Sequence, residues 1–413
     1  MSKLVLKFGG TSVADVDCIR KAAQIIVNTA SEGHEVLAVV SAMGDTTDRL
    51  ISLAKKVTPS PSARELDMLL TTGEQQSVAL MTMAIQEFGG QARGFTGGQA
   101  GIITENRHGS AKIEEIRSAS LEASMSRGEI PVVAGFQGMS NNQELTTLGR
   151  GGSDTTAVAV ATTLGADRCD IYTDVNGVYT TDPRMVSRAS KLKSISYEEM
   201  FEMANTGAKV INSRAVSLAK DSQMPVRIRS TFWPEDEGTL ITDLINTPDY
   251  TISGITHDLN QVWFNWQMVI NNDQANKLDN VASLFVRLNE LNICTDMVML
   301  LAREDEPVQE LVFTVENDSA ARVQSVIESY ADSKESKLLI DDKLARISVI
   351  SRRLNGKPEI VASVFDALNR ANIPVNMVAT GDLRFSLLIP KTHAENAVTL
   401  IHEHFSLSNP ERN

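Results

Sequence analysis

The second half of this chain contains an internal repeat, which limits the folds that this half can adopt. Residues 278–298 align with residues 358–378 at an offset of eighty positions. Identity at this density is not expected by chance, so the half contains two copies of one structural unit. The matching pairs are Val281 and Val361, Ala282 and Ala362, Ser283 and Ser363, Phe285 and Phe365, Leu288 and Leu368, Asn289 and Asn369, Asn292 and Asn372, Ile293 and Ile373, Met297 and Met377, and Val298 and Val378.

Both copies predict the same succession of elements. Apolar residues recur at helical spacing, and an Asn-Ile pair then leads into a strand. With the flanking segments, the order is strand, helix, strand, strand, helix, a ferredoxin-like plan. The alternative is a purely structural dimerisation arm, because the matched residues are core positions that carry no chemistry. The flanking strands are predicted at Val262–Val269, Glu310–Val315, Ala345–Ile350 and Leu383–Ile389, and the second helices at Ala320–Tyr330 and Ala394–His404.

The first half, up to about residue 245, alternates strand patterns with helical patterns. This alternation indicates an α/β sandwich whose parallel sheet is covered on both faces. Strands are predicted at Leu4–Phe8, Val36–Val40, Ala92–Thr96, Pro131–Ala134, Asp170–Thr173 and Val226–Arg229, and helices at Val16–Ala30, Ala63–Gln86, Ile113–Arg127 and Thr155–Leu164.

Charge and cysteine content exclude several classes of protein. The formal net charge of -13 argues against nucleic acid or an anionic membrane as the main partner, because both need basic faces. Cys18, Cys169 and Cys294 lie far apart without a CxxC motif, so neither a zinc site nor a disulfide framework is indicated. The sequence enters a strand without a signal-type leader, and no apolar run approaches the roughly 20 residues of a membrane span. A cytoplasmic protein is expected.

The first strand ends in a segment that suits an anionic ligand. Lys7 is followed by Phe8, Gly9 and Gly10. Glycine lets anionic oxygens approach main-chain N–H groups, and the lysine adds a positive charge beside them. The segment is interpreted as a phosphate cradle, although it is not a Walker loop. An ordinary strand that ends in a glycine turn is the alternative.

A second glycine-rich segment, residues 148–156, precedes a helix. Its N–H groups and the helix N-terminus point to a second anion site. Arg150 could bind a carboxylate with two hydrogen bonds, while Ser153 or Asp154 could instead serve only as a helix cap.

Four further segments carry weaker signals. Residues 171–184 contain a strand end, a glycine turn and Arg184, which suit a nucleotide. Ser41 to Thr47 offers hydroxyl groups after a strand, and Glu74 lies within a long helix. Taken alone, both of these are turns or caps more often than sites. Lys209 would ordinarily be a solvated surface residue.

Together, these segments resemble the aspartate kinase family. The motifs are Lys-Phe-Gly-Gly-Thr-Ser, Ser-Ala-Met-Gly-Asp-Thr-Thr, Thr-Gly-Glu, Gly-Arg-Gly-Gly-Ser-Asp and the stretch from Tyr172 to Arg184, in this order. The resemblance covers essentially the whole chain. It implies an amino-acid-kinase three-layer sandwich with a mainly parallel sheet at 1–247, followed by two ferredoxin-like ACT domains at 248–413. The first ACT unit is expected at about 260–335 and the second at about 340–413, with a strand at 250–256.

The resemblance also implies a role for each matching residue. Lys7, Gly9 and Gly10 would hold the transferring phosphoryl group, and Asp154 would orient Lys7 and Lys209. Glu74 would meet the ammonium group of the substrate, and Arg150 its α-carboxylate. The other substrate-binding residues implied are Ser41, Thr47, Gly152 and Ser153, and the remaining ATP contacts implied are Phe8, Thr173, Asp174, Tyr179, Asp182, Arg184, Lys209 and Val210.

The activity implied is transfer of the ATP γ-phosphoryl group to the β-carboxylate of L-aspartate. This is the first step of lysine, threonine and methionine biosynthesis, and it uses ATP and Mg²⁺ without a protein metal site. The resemblance further implies a homodimer or higher homo-oligomer through the ACT domains, and an amino-acid effector such as lysine or threonine.

The effector region departs from the family pattern. Asp279 and Glu359 match positions where many relatives have glycine, and each would occupy the space and charge that an effector carboxylate needs. Leu300-Leu301 and Gly381-Asp382-Leu383 replace polar pairs of relatives. Feedback inhibition is therefore expected to be weak, absent or directed to another effector. The candidate effector residues are Asp279, Asp296, Glu359, Asn376 and Asp382.

Two other functions remain open on the sequence. One is a kinase of the same fold that acts on glutamate or acetylglutamate. The other is an inactive amino-acid sensor that works through its repeats.

Overall fold

The computed structural model describes residues 2–243, 252–269, 277–302, 308–330, 336–352, 354 and 357–408. Within them, residues 2–180 and 190–243 form one compact unit, and residues 181–189 and 252–408 form a second. The predicted domain boundary at 247 and 248 lies outside the described residues.

The first unit contains a large sheet, a small sheet and the helices that cover them. Its strands are β1 (Lys3–Phe8), β2 (Glu35–Val40), β3 (Ala92–Phe95), β4 (Ile102–Thr104), β5 (Ile113–Ile116), β6 (Ile130–Ala134), β7 (Gln137–Ser140), β8 (Leu145–Thr147), β9 (Arg168–Thr173), β10 (Ser194–Ile195), β11 (Val226–Ser230) and β12 (Thr239–Ile241). Its helices are α1 (Val16–Ser31), α2 (Thr46–Val57), α3 (Ala63–Glu87), α4 (Ala119–Ser126), α5 (Gly152–Thr163), α6 (Tyr197–Thr206) and α7 (Ser213–Asp221), with a 3-10 turn at Gly10–Val13.

The large sheet confirms the predicted α/β architecture. Its strand order is β10-β12-β11-β9-β1-β2-β6-β3, and every pair is parallel except β11 with β12. Leu4, Leu6 and Phe8 of β1 join a core cluster with side chains of α1 and α3. Because side chains alternate along a strand, Lys7 points to the opposite face, where α5 packs.

One predicted helix is wrong in its first part. Ile113–Ile116 forms strand β5, which pairs antiparallel with β4 in the small sheet, and the helix begins only at Ala119. Two isoleucines three positions apart fit one face of a helix, and so short a pattern cannot distinguish a helix from a strand.

The second unit contains two four-stranded sheets of the same design. Its strands are β13 (Gly254–Asp258), β14 (Gln261–Val269), β15 (Thr295–Ala302), β16 (Val308–Glu316), β17 (Ser336–Asp341), β18 (Leu344–Ile350), β19 (Met377–Thr380) and β20 (Arg384–Pro390). Its helices are α8 (Lys277–Glu290), α9 (Asn317–Tyr330), α10 (Pro358–Arg370) and α11 (Ala394–His404), with a 3-10 turn at Lys391–His393.

The internal repeat is confirmed as two structural copies. The sheet orders β15-β16-β14-β17 and β19-β20-β18-β13 correspond strand by strand. Asn292 and Asn372, which match in the repeat, both have φ near +50° at the end of the first helix of their copy. Asparagine tolerates this left-handed conformation better than most residues, which explains why both copies use it.

The first copy is inserted into the second. Strand β13 precedes the first copy in sequence, yet it pairs antiparallel with β18 of the second copy. Segment 181–189 also belongs to this unit, since Met185 and Val186 pack in the core of the second copy.

Among the described helices, none combines the length and apolarity that crossing a bilayer requires.

Candidate active site

The predicted phosphate cradle lies where β1, β2 and β9 end. Gly9 N–H donates to the carbonyl oxygen of Tyr172 at 3.0 Å, and Gly44 N–H donates to the carbonyl oxygen of Gly10 at 3.0 Å. A Cβ atom at Gly10 would lie 3.2 Å from two carbonyl oxygens, so this position leaves little room for a side chain. The ring of Phe8 stacks on Tyr172 with centroids 4.8 Å apart. The turn is therefore held by both neighbouring strands.

Lys7 and Asp154 form an ion pair at the centre of this region. Lys7 Nζ lies 2.6 Å from Asp154 Oδ1, and both residues are buried. The other oxygen of Asp154 accepts a hydrogen bond of 3.0 Å from the main-chain N–H of Asn212. Asp154 thus contacts Lys7 directly and reaches the turn that carries Lys209 through Asn212.

The glycine-rich loop that precedes α5 adopts a conformation that glycine favours. Gly149 and Gly151 have φ of 76° and 71°. Gly152, Ser153 and Asp154 form the buried first turn of α5. Arg150 lies exposed between the two left-handed glycines. The sequence prediction of a loop that leads into a helix N-terminus is confirmed.

Glu74 is a buried carboxylate with one oxygen unused. Ala42 N–H donates to Oε1 at 3.1 Å, whereas Oε2 has no hydrogen-bond partner among the described residues. The residue is 3% exposed, and burial raises the pKa of its carboxyl group to about 7. Gly73 lets α3 approach Ala42, since a Cβ atom there would lie 3.0 Å from the Cβ atom of Ala42. An unpaired buried oxygen of this kind suits a cationic ligand group.

The residues predicted to contact ATP fall into two groups. Thr173 lies at the end of β9, and its hydroxyl donates to Asp174 at 3.0 Å. Tyr179 lies after the next turn, and its hydroxyl donates to Asn176 at 2.7 Å. Lys209 and Val210 lie on the turn between α6 and α7.

Asp182 and Arg184 belong instead to the second unit. The guanidinium of Arg184 donates to the Asp182 carboxylate at 2.8 Å. This hydrogen bond lowers the pKa of Asp182, against the effect of burial.

Two of the residues predicted to bind the substrate lie beyond β2. Ser41 directly follows β2, and Thr47 lies in the first turn of α2.

Several supporting residues were missed in the sequence analysis. The Ser12 hydroxyl lies 2.7 Å from the Thr231 hydroxyl and 3.2 Å from the carbonyl oxygen of Tyr172. The Asn212 side chain donates to the carbonyl oxygen of Arg150 at 3.3 Å and accepts from Arg214 N–H at 3.0 Å. The contact of Asn212 with Asp154 runs through the main chain and leaves no sequence signal.

The candidate effector residues have varied surroundings. Asp279 and Glu359 lie in the first turns of α8 and α10, as the alignment of the repeat predicts. Asp296 is engaged by two arginines of the second copy, Arg346 and Arg384, the latter at 2.6 Å. Burial acts to raise the pKa of Asp296, but the two arginines together bring it below the ordinary value. Asn376 and Asp382 are exposed.

Comparison with known proteins agrees with this arrangement. Residues 2–230 match the amino acid kinase family, and residues 347–405 match an ACT domain. The fold and the site therefore define an amino acid kinase that carries an ACT region.

Two relatives, one of them in two crystal structures, narrow the class of kinase. Aspartokinase 2 of Bacillus subtilis is 42% identical over 410 residues, which cover 99% of this chain and 98% of the relative. The crystal structure of E. coli aspartokinase III in complex with aspartate and ADP has a TM-score of 0.81 at 26% identity, and covers 97% of this chain and 99% of that chain. The structure of the same enzyme with lysine and aspartate has a TM-score of 0.74 at 27% identity, with the same coverage.

The chain belongs to the aspartokinase family. It is an ATP-dependent kinase that transfers the γ-phosphoryl group to the β-carboxylate of aspartate, a reaction of amino-acid biosynthesis. The resemblance inferred from the five motifs is confirmed.

Proposed function

We propose that aspartate phosphorylation takes place at the ends of β1, β2 and β9, with the ion pair of Lys7 and Asp154 at its centre. This ion pair is the observation that carries the proposal, because it holds an ammonium group beside the glycine turn of the predicted phosphate cradle. Lys7 Nζ lies only 3.4 Å from the place that a Cβ atom at Gly9 would take. A γ-phosphate that approaches Gly9 and Gly10 would therefore meet the positive charge of Lys7.

Aspartate is held by charges of opposite sign at its two ends. The unpaired Oε2 of Glu74 accepts from the α-ammonium group, and Arg150 donates to the α-carboxylate. Ser41, Thr47, Gly152 and Ser153 line the space between these partners. The β-carboxylate is then directed toward the phosphate cradle.

The reaction does not require a strong general acid or general base. The attacking β-carboxylate is ionised near neutral pH, so no group needs to remove a proton from it. The difficulty is to bring one anion to another, which calls for fixed positive charge and main-chain donors. Lys7, Lys209 and the N–H group of Gly10 serve this purpose, and Asp154 keeps Lys7 oriented.

ATP contacts come from the loops that follow β9 and α6. Thr173, Asp174, Tyr179, Lys209 and Val210 lie there.

Mg²⁺ would bind together with the nucleotide and would neutralise charge on its phosphate oxygens, as it usually does in kinases. Among the described residues, no group of three or more His, Cys, Asp or Glu side chains could hold a metal ion.

Residues 1–247 form the catalytic domain and residues 248–413 the regulatory region in this proposal. E. coli aspartokinase III has been crystallised with lysine, so an amino-acid effector is the natural ligand class for the ACT units. Asp279 and Glu359 disfavour an effector carboxylate at the helix ends, and the carboxylate of Asp296 is already engaged by arginine. Inhibition by lysine or threonine is therefore weak or absent, or the ACT units bind another effector.

The homodimer forms through the ACT region. Strand β15 lies at the edge of its sheet, with Val298, Met299, Leu300 and Leu301 substantially exposed. An exposed apolar edge of this kind favours pairing with a second copy.

The test of the site is acyl-phosphate formation, trapped with hydroxylamine, for aspartate, glutamate and N-acetylglutamate. Product is expected with aspartate alone, and Lys7→Ala should abolish most of it, while the surface control Lys55→Ala should not. If Lys7→Ala turned over aspartate at the wild-type rate, the proposed centre would be refuted.

A further inference from the structure

A further buried carboxylate lies outside the residues discussed so far. Asp67, on α3, is 1% exposed, and both of its oxygens accept hydrogen bonds. The Thr147 hydroxyl donates to Oδ1 at 2.6 Å, and Thr147 N–H donates to Oδ2 at 3.2 Å. Gly109 N–H lies 3.0 and 3.1 Å from the two oxygens, and His108 Nδ1 lies 3.0 Å from Oδ2. A carboxylate so deeply buried requires such donors, because they replace its lost hydration.

The donors belong to the end of β8 and to the loop between β4 and β5. Thr147 is the last residue of β8, and Arg150 follows three positions later. Gly109 lies against the same loop, since a Cβ atom at Gly149 would be 3.2 Å from the carbonyl oxygen of Gly109. Ala111 N–H also donates to the carbonyl oxygen of Thr147 at 2.9 Å. Asp67 therefore fixes the start of the segment that carries Arg150.

The same helix carries Glu74. Asp67 and Glu74 are seven residues apart, which is about two helical turns, so they share one face of α3. Both are buried. One rigid helix thus bears the carboxylate proposed to bind the substrate ammonium group and the carboxylate that anchors the loop of Arg150.

We infer that Asp67 is a positioning residue that sets the spacing between the ammonium and α-carboxylate partners of the substrate. The inference rests on the proposed roles of Glu74 and Arg150. A free α-amino acid presents its ammonium and α-carboxylate groups at a fixed separation. A loop that keeps Arg150 at a fixed distance from Glu74 therefore selects for free α-amino acids.

The test is steady-state kinetics of Asp67→Asn. Asparagine keeps the size of the side chain, but it has one acceptor oxygen and would turn an NH₂ group toward main-chain and hydroxyl donors. The KM for aspartate should rise at least tenfold, while kcat and the KM for ATP stay within about twofold. Thr147→Val, which removes only the hydroxyl donor, should raise the KM for aspartate about threefold. The control is Glu65→Gln, an exposed carboxylate on the same helix, which should leave all three constants unchanged.

A double-variant cycle separates positioning from general loss of structure. In an Arg150→Ala background, Asp67→Asn should raise the KM for aspartate by less than twofold, because the group that it positions is gone. Full multiplication of the two effects would overturn the inference, as would a fall in kcat and folded fraction without a change in KM.

The cycle also distinguishes a failure of the proposed role of Arg150 from a failure of the inferred role of Asp67. If Arg150→Ala alone left the KM for aspartate unchanged, the proposed role of Arg150 would fail, and the inference with it. If Arg150→Ala raised this KM but Asp67→Asn and Thr147→Val did not, only the inference about Asp67 would fail.

Discussion

The proposed contact between Glu74 and the α-ammonium group of aspartate, together with the raised pKa of Glu74, predicts that aspartate binding is linked to proton release. Burial moves the pKa of this carboxyl from 4.5 to about 7, so at pH 7 about half of the empty enzyme carries a protonated Glu74. An ammonium group at Oε2 requires the ionised form. Binding should therefore release about half a proton per aspartate at pH 7, about nine tenths at pH 6 and about one tenth at pH 8. Calorimetric titration in two buffers of different ionisation enthalpy measures this number directly.

The raised pKa of Glu74 also makes the stability of the empty enzyme depend on pH. Because the folded pKa exceeds the unfolded one, ionisation of Glu74 costs the empty enzyme stability as pH rises from 4.5 to 7, by about 3 kcal/mol in total. Glu74→Gln should therefore stabilise the empty enzyme above pH 7, with no gain near pH 4, and should release no proton on binding. The control is Glu65→Gln, which should behave as wild type. Proton release near zero in the wild type across this range would refute the reasoning.

Three other variants and one titration test the remaining assignments. Lys7→Ala should lower kcat by about 10²- to 10³-fold, whereas Arg150→Ala should mainly raise the KM for aspartate; equal effects of both on kcat alone would contradict this division of roles. Asp296→Asn weakens the partner of the buried Arg346 and should destabilise the ACT region by about 2 kcal/mol in urea unfolding. A loss as small as that of the exposed control Glu395→Gln would show that the ion pair contributes little. Lysine and threonine, added singly and together to the kinetic assay, should inhibit weakly, and potent synergistic inhibition would argue against the altered effector loops.

Much of the fold and of the site could be predicted from residues that are close together in sequence. Strand β1 and the turn at Gly9 and Gly10 were predicted because a strand, a lysine and two glycines are adjacent in sequence. The repeat was predicted because its matched residues form the same core in each copy. In both cases the sequence signal lies within about twenty consecutive residues.

Contacts between distant segments could not be predicted in this way. Asp67 meets Thr147 across 80 positions, and the Asn212 N–H group meets Asp154 across 58. A main-chain donor has no side-chain signature, and an aspartate within a helix gives no sign of its partner. Ile113–Ile116 shows the other limit, since its pairing with β4 decided between two patterns that the residues fit equally well.

The insertion of one ACT copy into the other has a consequence for how the polypeptide is made. During translation, β13 leaves the ribosome before the first copy, and its partner β18 follows only some ninety residues later. The second copy therefore cannot complete its sheet until the first has emerged, and such a distant pairing slows folding. For the same reason, a gene fragment that starts at β17 or β18 encodes a sheet that lacks its edge strand β13. A module transplanted into another protein must therefore begin at or before Gly254.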